Sequence, residues 1–253
     1  DIYLCYSGAL PPEKRANQLF INMGNNSRGV PMFQEMAEKF GLASTGYSNQ
    51  SYFFDYDKDA DMDLLICPGG NNHPVSSVEL QLRLFNNDGK GNFTLDAAAF
   101  PNMSMNIAVA IANDFNNDGF PDLFIGARNY PGIYGKDPQS YLLVNDGKGH
   151  FADIAQTKNP DIANIGMVTG AVWEDVAGDK QKELIIVGEW MAPRIFSFNG
   201  NKFDEVKTNI SDKFGWWQTV SVADVNNDGK QDLILGNIGE NFYLCPKADS
   251  PAK

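Results

Sequence analysis

DFNNDGFPDLFI, residues 114–125, contains the pattern that decides the fold of this chain. Side chains that carry oxygen stand at its first, third, fifth and ninth positions, and an apolar triplet follows directly. Nearly the same pattern returns as DVNNDGKQDLIL at 224–235 and as DYDKDADMDLLI at 55–66. A degenerate copy, DVAGDKQKELII, occupies 175–186. The copies follow one another at steps of roughly 50–60 residues, a spacing typical of repeat architectures.

Each acidic string lies between two segments that read as short strands. An apolar segment precedes it, such as NIAVAIAN at 106–113, and the apolar triplet follows it. Two further strands come next, joined by a turn rich in Asn, Asp and Gly, as in YLLVNDGKGHFADI at 141–154. Four strands in up-and-down order at this period predict an all-β fold: a β-propeller, or a propeller fragment, of four-stranded antiparallel blades with calcium-binding hairpin loops. A β-solenoid is the alternative, although its repeats are shorter.

The repeats divide the chain into blades of a single β-propeller domain over 1–253. We expect a partial blade at 1–45, blades near 51–100, 106–160 and 167–212, and a partial blade at 216–253. The first four residues, Asp-Ile-Tyr-Leu, resemble the end of an acidic string and its apolar triplet. We therefore expect the natural chain to be longer in both directions; a small ring closed by a terminal strand is the alternative.

The alternating oxygens predict metal sites. In a tight curved loop, alternate side chains point to the same concave side, and the main-chain carbonyl of the seventh residue joins them. Such hard oxygen ligands suit Ca²⁺, whereas Zn²⁺ favours His or Cys. The predicted ligands are the side chains of Asp55, Asp57, Asp59, Asp63, Asp114, Asn116, Asp118, Asp122, Asp224, Asn226, Asp228 and Asp232, with the carbonyls of Asp61, Phe120 and Lys230. A plain hairpin turn is the competing interpretation, and the repetition argues against it.

The copies differ in how well they match the pattern. Ala60 stands where the other two full copies have Gly, and a left-handed alanine costs on the order of 1 kcal/mol. In 175–183, Ala177 removes the third-position oxygen and Lys180 brings a cation. We expect about three Ca²⁺ sites and a degenerate loop at 175–183.

The formal charge of −12 argues against a nucleic-acid partner, which needs a basic surface. Three bound divalent cations would halve that charge, so the acidity has a local cause. No apolar run reaches the roughly 18 residues that cross a bilayer, so the chain is not expected to be transmembrane. The three cysteines, Cys5, Cys67 and Cys245, make no disulfide framework, and we expect small buried thiols.

The D-x-[DN]-x-D-G-x-x-D loop between propeller strands resembles the FG-GAP/VCBS repeat family, which includes the integrin α-subunit propeller. Stretches such as NQLFINMG and GWWQTVSVADVNNDGKQDLILGNIGEN are similar to bacterial VCBS-repeat proteins of the Bacteroidetes type. The resemblance implies structural calcium at 55–63, 114–122 and 224–232, export, and a cell-surface or secreted location. The family spans adhesion modules, glycan-associated proteins and a few polysaccharide lyases, so it implies no single activity.

No catalytic constellation is evident outside the acidic loops. The candidate recognition loops are PGGNNHP at 68–74, ARNYPGIYGKDPQ at 127–139 and GNIGEN at 236–241. The candidate ligand-binding residues are His73, Arg128, Tyr130, Trp190 and Trp216. Glu189, beside Trp190, resembles a sugar-site carboxylate but follows an apolar run, which favours a packing role.

Two functions remain open at this point. The first is a calcium-stabilised, non-catalytic binding or scaffolding module of an exported, outer-membrane-associated bacterial surface protein, with a glycan or another envelope protein as partner. The second is a polysaccharide-processing enzyme such as a calcium-dependent lyase. A lyase would need a base and a charge neutraliser in one cleft with calcium.

Overall fold

A computed structural model describes residues 1–7, 11–75 and 77–238. The strands are β1 Ile2–Leu4, β2 Gln18–Asn25, β3 Pro31–Glu35, β4 Gln50–Phe54, β5 Asp63–Cys67, β6 Arg83–Asn87, β7 Phe93–Asp96, β8 Asn106–Asn113, β9 Asp122–Asn129, β10 Tyr141–Asn145, β11 Phe151–Asp153, β12 Met167–Glu174, β13 Glu183–Met191, β14 Arg194–Phe198, β15 Phe203–Val206, β16 Gly215–Ala223 and β17 Asp232–Asn237. Two one-turn helices, α1 Ala155–Lys158 and α2 Pro160–Ala163, and two 3₁₀ turns, Pro12–Lys14 and Val78–Leu80, complete the described elements.

The strands form antiparallel sheets in chain order. β1–β3 make a three-stranded sheet, and β4–β7 and β8–β11 make two four-stranded sheets. β12–β15 pair in the same way, and β16–β17 join them because Glu189 and Met191 pair with Trp216 and Gly215. The predicted all-β, antiparallel fold is confirmed, and the architecture is consistent with a β-propeller-like fold. The sequence patterns did not predict the two helices between β11 and β12, or the sheet that joins the last two units.

The hydrophobic core lies between successive sheets rather than inside any one of them. Along β5, Leu64 and Ile66 pack toward the first sheet, whereas Leu65 and Cys67 pack toward the third. Along β9, Leu123 and Ile125 face the second sheet and Phe124 faces the fourth. Successive side chains of a strand point to opposite faces, so a strand covered on both sides needs a continuous apolar run. This explains the apolar triplets after the strings at 55–63, 114–122 and 175–183, whose strands are buried.

The two ends of the stack are less covered. β3 is exposed along its whole length, and β16 and β17 are half-buried to exposed. Cys5 is half-buried and Cys67 is fully buried, and both are free thiols; Cys245 and the end of the 236–241 loop lie outside the described residues. Within the described residues, no helix has the length and apolar character required to cross a membrane.

Antiparallel pairing separates the loops into two faces. The loops after β4, β8, β12 and β16 carry the acidic strings, and we call this side the acidic face. The far ends of the same strands meet on the other side, where Asn106 pairs with Asn129 and Met167 pairs with Glu189. That side also carries the loops after β5 and β9, and we call it the aromatic face.

Candidate functional site

The four acidic loops share one backbone conformation. In each loop the first Asp accepts hydrogen bonds from the main-chain N–H groups of the fifth and sixth residues; Asp114, for example, accepts from Asp118 at 3.0 Å and Gly119 at 2.9 Å. The same pair of bonds forms at Asp55, Asp175 and Asp224. The first carboxylate therefore organises the loop from within.

The sixth residue has a left-handed backbone in every copy. Its φ is 97° at Gly119 and 83° at Gly229, and it stays positive at Ala60 (75°) and Lys180 (76°). Glycine adopts this region without strain, whereas alanine and lysine do not. The departures at Ala60 and Lys180 therefore leave the loop shape unchanged at a cost in backbone energy.

A buried carboxylate closes the first two loops. Asp63 and Asp122 are fully buried. Asp63 accepts the main-chain N–H groups of Asn87 at 2.9 Å and Tyr56 at 3.2 Å. Asp122 accepts the N–H of Asn145 at 2.9 Å through Oδ1, while its Oδ2 is buried and makes no hydrogen bond. Burial raises the pKa of both carboxyl groups to about 7, so ionising them without a nearby cation is unfavourable.

The 55–63 loop brings its carboxylates closest together. Asp55, Asp57 and Asp63 each offer an oxygen within 4.8 Å of the others. Asp57 Oδ1 and Asp61 Oδ1 are buried without a hydrogen bond. Crowded carboxylates with unsatisfied buried oxygens need a positive charge among them, and an all-oxygen set suits a hard divalent cation. The residues present therefore fit Ca²⁺.

In the remaining loops the acidic side chains lie less close together than in 55–63. Asn116 and Asn226 each donate their side-chain N–H to the fifth-position carboxylate, at 2.8 and 3.2 Å. Asp232 is half-buried and accepts the N–H of Val225 at 3.0 Å. In 175–183, Glu183 is buried, its Oε2 accepts the N–H groups of Val176 and Ala177, and its Oε1 makes no hydrogen bond. That loop lacks a third-position side-chain oxygen.

Three of the five predicted ligand-binding residues meet on the aromatic face. Arg128, Trp190 and Trp216 come together with Glu189 and Tyr134, and we call these five residues the aromatic cluster. Arg128 Nη2 lies 2.8 Å from Oε1 of the buried Glu189. The Tyr134 hydroxyl donates to Glu189 Oε2 at 2.7 Å and accepts the Trp190 Nε1–H at 3.0 Å. The rings of Trp190 and Trp216 stack with centroids 5.0 Å apart and 28° between their planes.

The backbone at Trp190 is unusual. Its φ is 63°, in the left-handed region, and the pairing of β13 with β16 shifts register between Glu189 and Met191. A bulge of this kind re-aims one side chain, and a bulky left-handed residue is rare and strained. Glu189 consequently points inward while Trp190 remains 44% exposed.

The other two predicted residues lie on the loops after β5 and β9, outside the aromatic cluster. His73 packs edge-on against Tyr47, with ring centroids 4.5 Å apart. Tyr130 lies under the ammonium of Lys136, 3.6 Å from its ring centroid, and both line an open groove of about 870 Å³. The five candidates thus do not form a single cluster.

Tyr134 and the pairing role of Glu189 were not predicted. Tyr134 lies in the 127–139 loop that was singled out, but nothing local distinguishes it from Tyr130. Glu189 follows a buried run as expected, and its carboxylate holds Arg128 and Tyr134 together. Residues 55 to 61 positions apart make these contacts, so no local pattern could have revealed them.

Comparisons with known proteins agree with the repeat assignment. The FG-GAP-like repeat family matches residues 114–186 and 175–235, two regions that each begin at the first Asp of an acidic string. No curated protein matches the chain significantly. Among solved structures, the chain is similar to a lectin of Agrocybe aegerita that recognises non-reducing terminal N-acetylglucosamine. The TM-score is 0.52 at 18% identity, over 87% of this chain and 57% of the lectin chain. The narrower likeness to Bacteroidetes VCBS proteins stays a prediction.

Proposed function

We propose that this chain is a calcium-stabilised, non-catalytic binding module that recognises its partner through the aromatic face. The observation that carries the proposal is that the two faces carry different groups of residues. Acidic loops occupy one face, and the exposed aromatic cluster occupies the other. FG-GAP-like repeats and a structural neighbour that is a lectin support a binding role.

Calcium in the acidic loops is the stabilising part of this proposal. The three full copies, 55–63, 114–122 and 224–232, would hold it with the oxygens predicted from the sequence. Bound Ca²⁺ would supply the positive charge that offsets repulsion among the carboxylates. The buried Asp63 and Asp122 carboxylates already tie each loop to a neighbouring strand, through the N–H groups of Asn87 and Asn145. Loop 175–183, without a third-position oxygen, would bind weakly.

A thermal melt with calcium and with chelator tests the metal proposal. Cations that bind only the native state raise the unfolding midpoint with concentration. We expect a midpoint several degrees higher in millimolar Ca²⁺ than in EDTA, and a smaller increase in Mg²⁺, which demands stricter octahedral geometry. Equal midpoints in calcium and EDTA would remove calcium from the proposal and leave the aromatic face unaffected.

The partner is proposed to be a glycan or another envelope protein at the bacterial surface. Extracellular calcium modules work at dissociation constants of about 10⁻⁴–10⁻³ M, and half-exposed loops such as 224–232 suit that range. Labelling of intact cells with an antibody against the chain tests the location. Labelling only after lysis would contradict export to the surface.

The lyase alternative is less well supported by the geometry. It needs calcium, a base and a charge neutraliser in one cleft, whereas the acidic loops and Arg128 lie on opposite faces. An ultraviolet assay for unsaturated products from acidic polysaccharides decides between the two functions. Product formation that stops in EDTA would favour the lyase.

A further inference from the structure

We propose that the aromatic cluster is a subsite for one uncharged pyranose ring, which stacks on Trp190 while Arg128 donates hydrogen bonds to its hydroxyl groups. This inference rests on the proposed binding function and names the class of ligand. It depends on three features of the cluster: a fixed aromatic surface, an oriented guanidinium and a balanced charge.

The aromatic surface is fixed before any ligand arrives. Trp216 stacks on one face of the Trp190 indole. The Nε1–H of Trp190 donates a hydrogen bond to the Tyr134 hydroxyl. The Tyr134 hydroxyl is itself held by the buried Glu189. A ring locked by stacking and by hydrogen bonds loses little conformational entropy when a ligand binds.

The exposed part of Trp190 has the size of a sugar ring. An aromatic side chain presents about 150–250 Å² of surface, so 44% exposure leaves on the order of 100 Å². That area suits one pyranose face, which carries axial C–H groups. A stable protein partner would need about 800 Å² on each side. The cluster alone therefore fits a sugar better than a protein.

Arg128 provides the polar contacts beside this surface. One of its N–H groups donates to Glu189, and its side chain is 48% exposed. A guanidinium has five N–H donors in a rigid plane, so the remaining donors are held at a set angle. Oriented donors next to an aromatic face can bind vicinal hydroxyl groups.

The charge of the cluster favours an uncharged sugar over an acidic one. Glu189 compensates Arg128 at 2.8 Å, so the pair carries no net charge. The chain as a whole carries a formal charge of −12. An acidic oligosaccharide would meet a neutral site on an anionic protein, whereas a neutral one would not be repelled.

Binding of immobilised neutral hexose and N-acetylhexosamine oligosaccharides, with oligogalacturonate as the acidic probe, tests the inference. We expect the wild-type protein, with Ca²⁺ present, to bind at least one neutral probe and to bind oligogalacturonate more weakly. The W190A variant should lose about tenfold or more in affinity. Y134F should lose less, because it keeps the Trp190 ring and removes only the hydroxyl that accepts the indole N–H. The F33A variant is the matched control, since Phe33 is a 42% exposed aromatic on the distant β3.

A second variant tests the charge argument. E189Q leaves the Arg128 guanidinium without a balancing carboxylate. The affinity of this variant for oligogalacturonate should therefore be at least severalfold higher than that of the wild type. Far-ultraviolet circular dichroism of every variant separates lost binding from lost folding.

The outcomes separate this inference from the proposed function. Neutral-sugar binding that persists in W190A overturns the subsite and leaves the binding module standing. A wild-type preference for oligogalacturonate overturns the neutral-sugar assignment.

Capture of an envelope protein that W190A abolishes, with no sugar bound, overturns the sugar subsite while the aromatic face remains a binding surface. A calcium-dependent elimination product overturns the proposed non-catalytic function itself.

Discussion

Replacing Asp122 by Asn is expected to stabilise the calcium-free protein above pH 7 and to weaken its response to calcium. Asp122 is fully buried, its Oδ1 accepts the N–H of Asn145 at 2.9 Å, and its Oδ2 makes no hydrogen bond. Asparagine has the same shape and no charge. Its carbonyl can keep the bond to Asn145, and its amide can donate toward the loop carboxylates.

The magnitude follows from the pKa of this carboxyl group. Burial raises the pKa of Asp122 to about 7, and the nearby Asp118 and Asp114 carboxylates add to the increase. In the unfolded chain the value is about 3.9. Ionising the buried group above pH 7 therefore costs roughly 4 kcal/mol relative to the unfolded state. This is an upper limit, because water that enters the loop solvates the ion.

The sign of the pH dependence is fixed by the same shift. Between about pH 4 and 7 the folded calcium-free protein holds a proton that the unfolded chain has released. The stability contribution of Asp122 therefore falls as the pH rises through this window, and it is constant above it. The advantage of D122N over the wild type should grow from near zero at pH 4 to its maximum above pH 7.

Chemical denaturation in EDTA at several pH values, repeated at saturating Ca²⁺, measures both effects. In calcium the order should reverse, because in the proposed site the wild-type carboxylate would be a ligand and the cation would balance its charge. D118N is the matched control: Asp118 is exposed, so its replacement should weaken calcium binding with a smaller gain in EDTA. A D122N variant less stable than the wild type in EDTA at pH 8 would refute the reasoning.

Three further changes test other parts of the fold. A60G should raise the free energy of unfolding by about 1 kcal/mol in EDTA, since it relieves a φ of 75°; no gain by chemical denaturation would contradict the strain argument. F124A should cost about 3–5 kcal/mol, because Phe124 is fully buried between the third and fourth sheets; a loss below 1 kcal/mol would contradict that packing. G188A should strongly lower the melting temperature, because a Cβ there would clash with the carbonyl oxygen of Met167; an unchanged melt would show that β12 and β13 can separate at this point.

Several features of the fold could be read from local pattern because they depend on near neighbours in the chain. An acidic string needs only alternating oxygens and a residue that tolerates a left-handed backbone, and hydrogen bonds between residues four and five apart build its shape. The apolar triplets near the starts of β5, β9 and β13 reflect burial on both faces of those strands. The two short helices at Ala155–Lys158 and Pro160–Ala163 were missed because one turn is too short for helical periodicity to appear.

The sequence by itself determined the repeat, the antiparallel strand pairs and the acidic loops, because each forms between residues close along the chain. Only the tertiary structure decided which candidate residues share a site. Arg128 and Tyr134 meet Glu189 because the third sheet packs against the fourth, and Trp216 meets Trp190 because β16 pairs with β13. His73 and Tyr130 contact Tyr47 and Lys136 instead. Strand direction also holds the acidic loops and the aromatic cluster on opposite faces, a relation that depends on how whole sheets are oriented and not on any single motif.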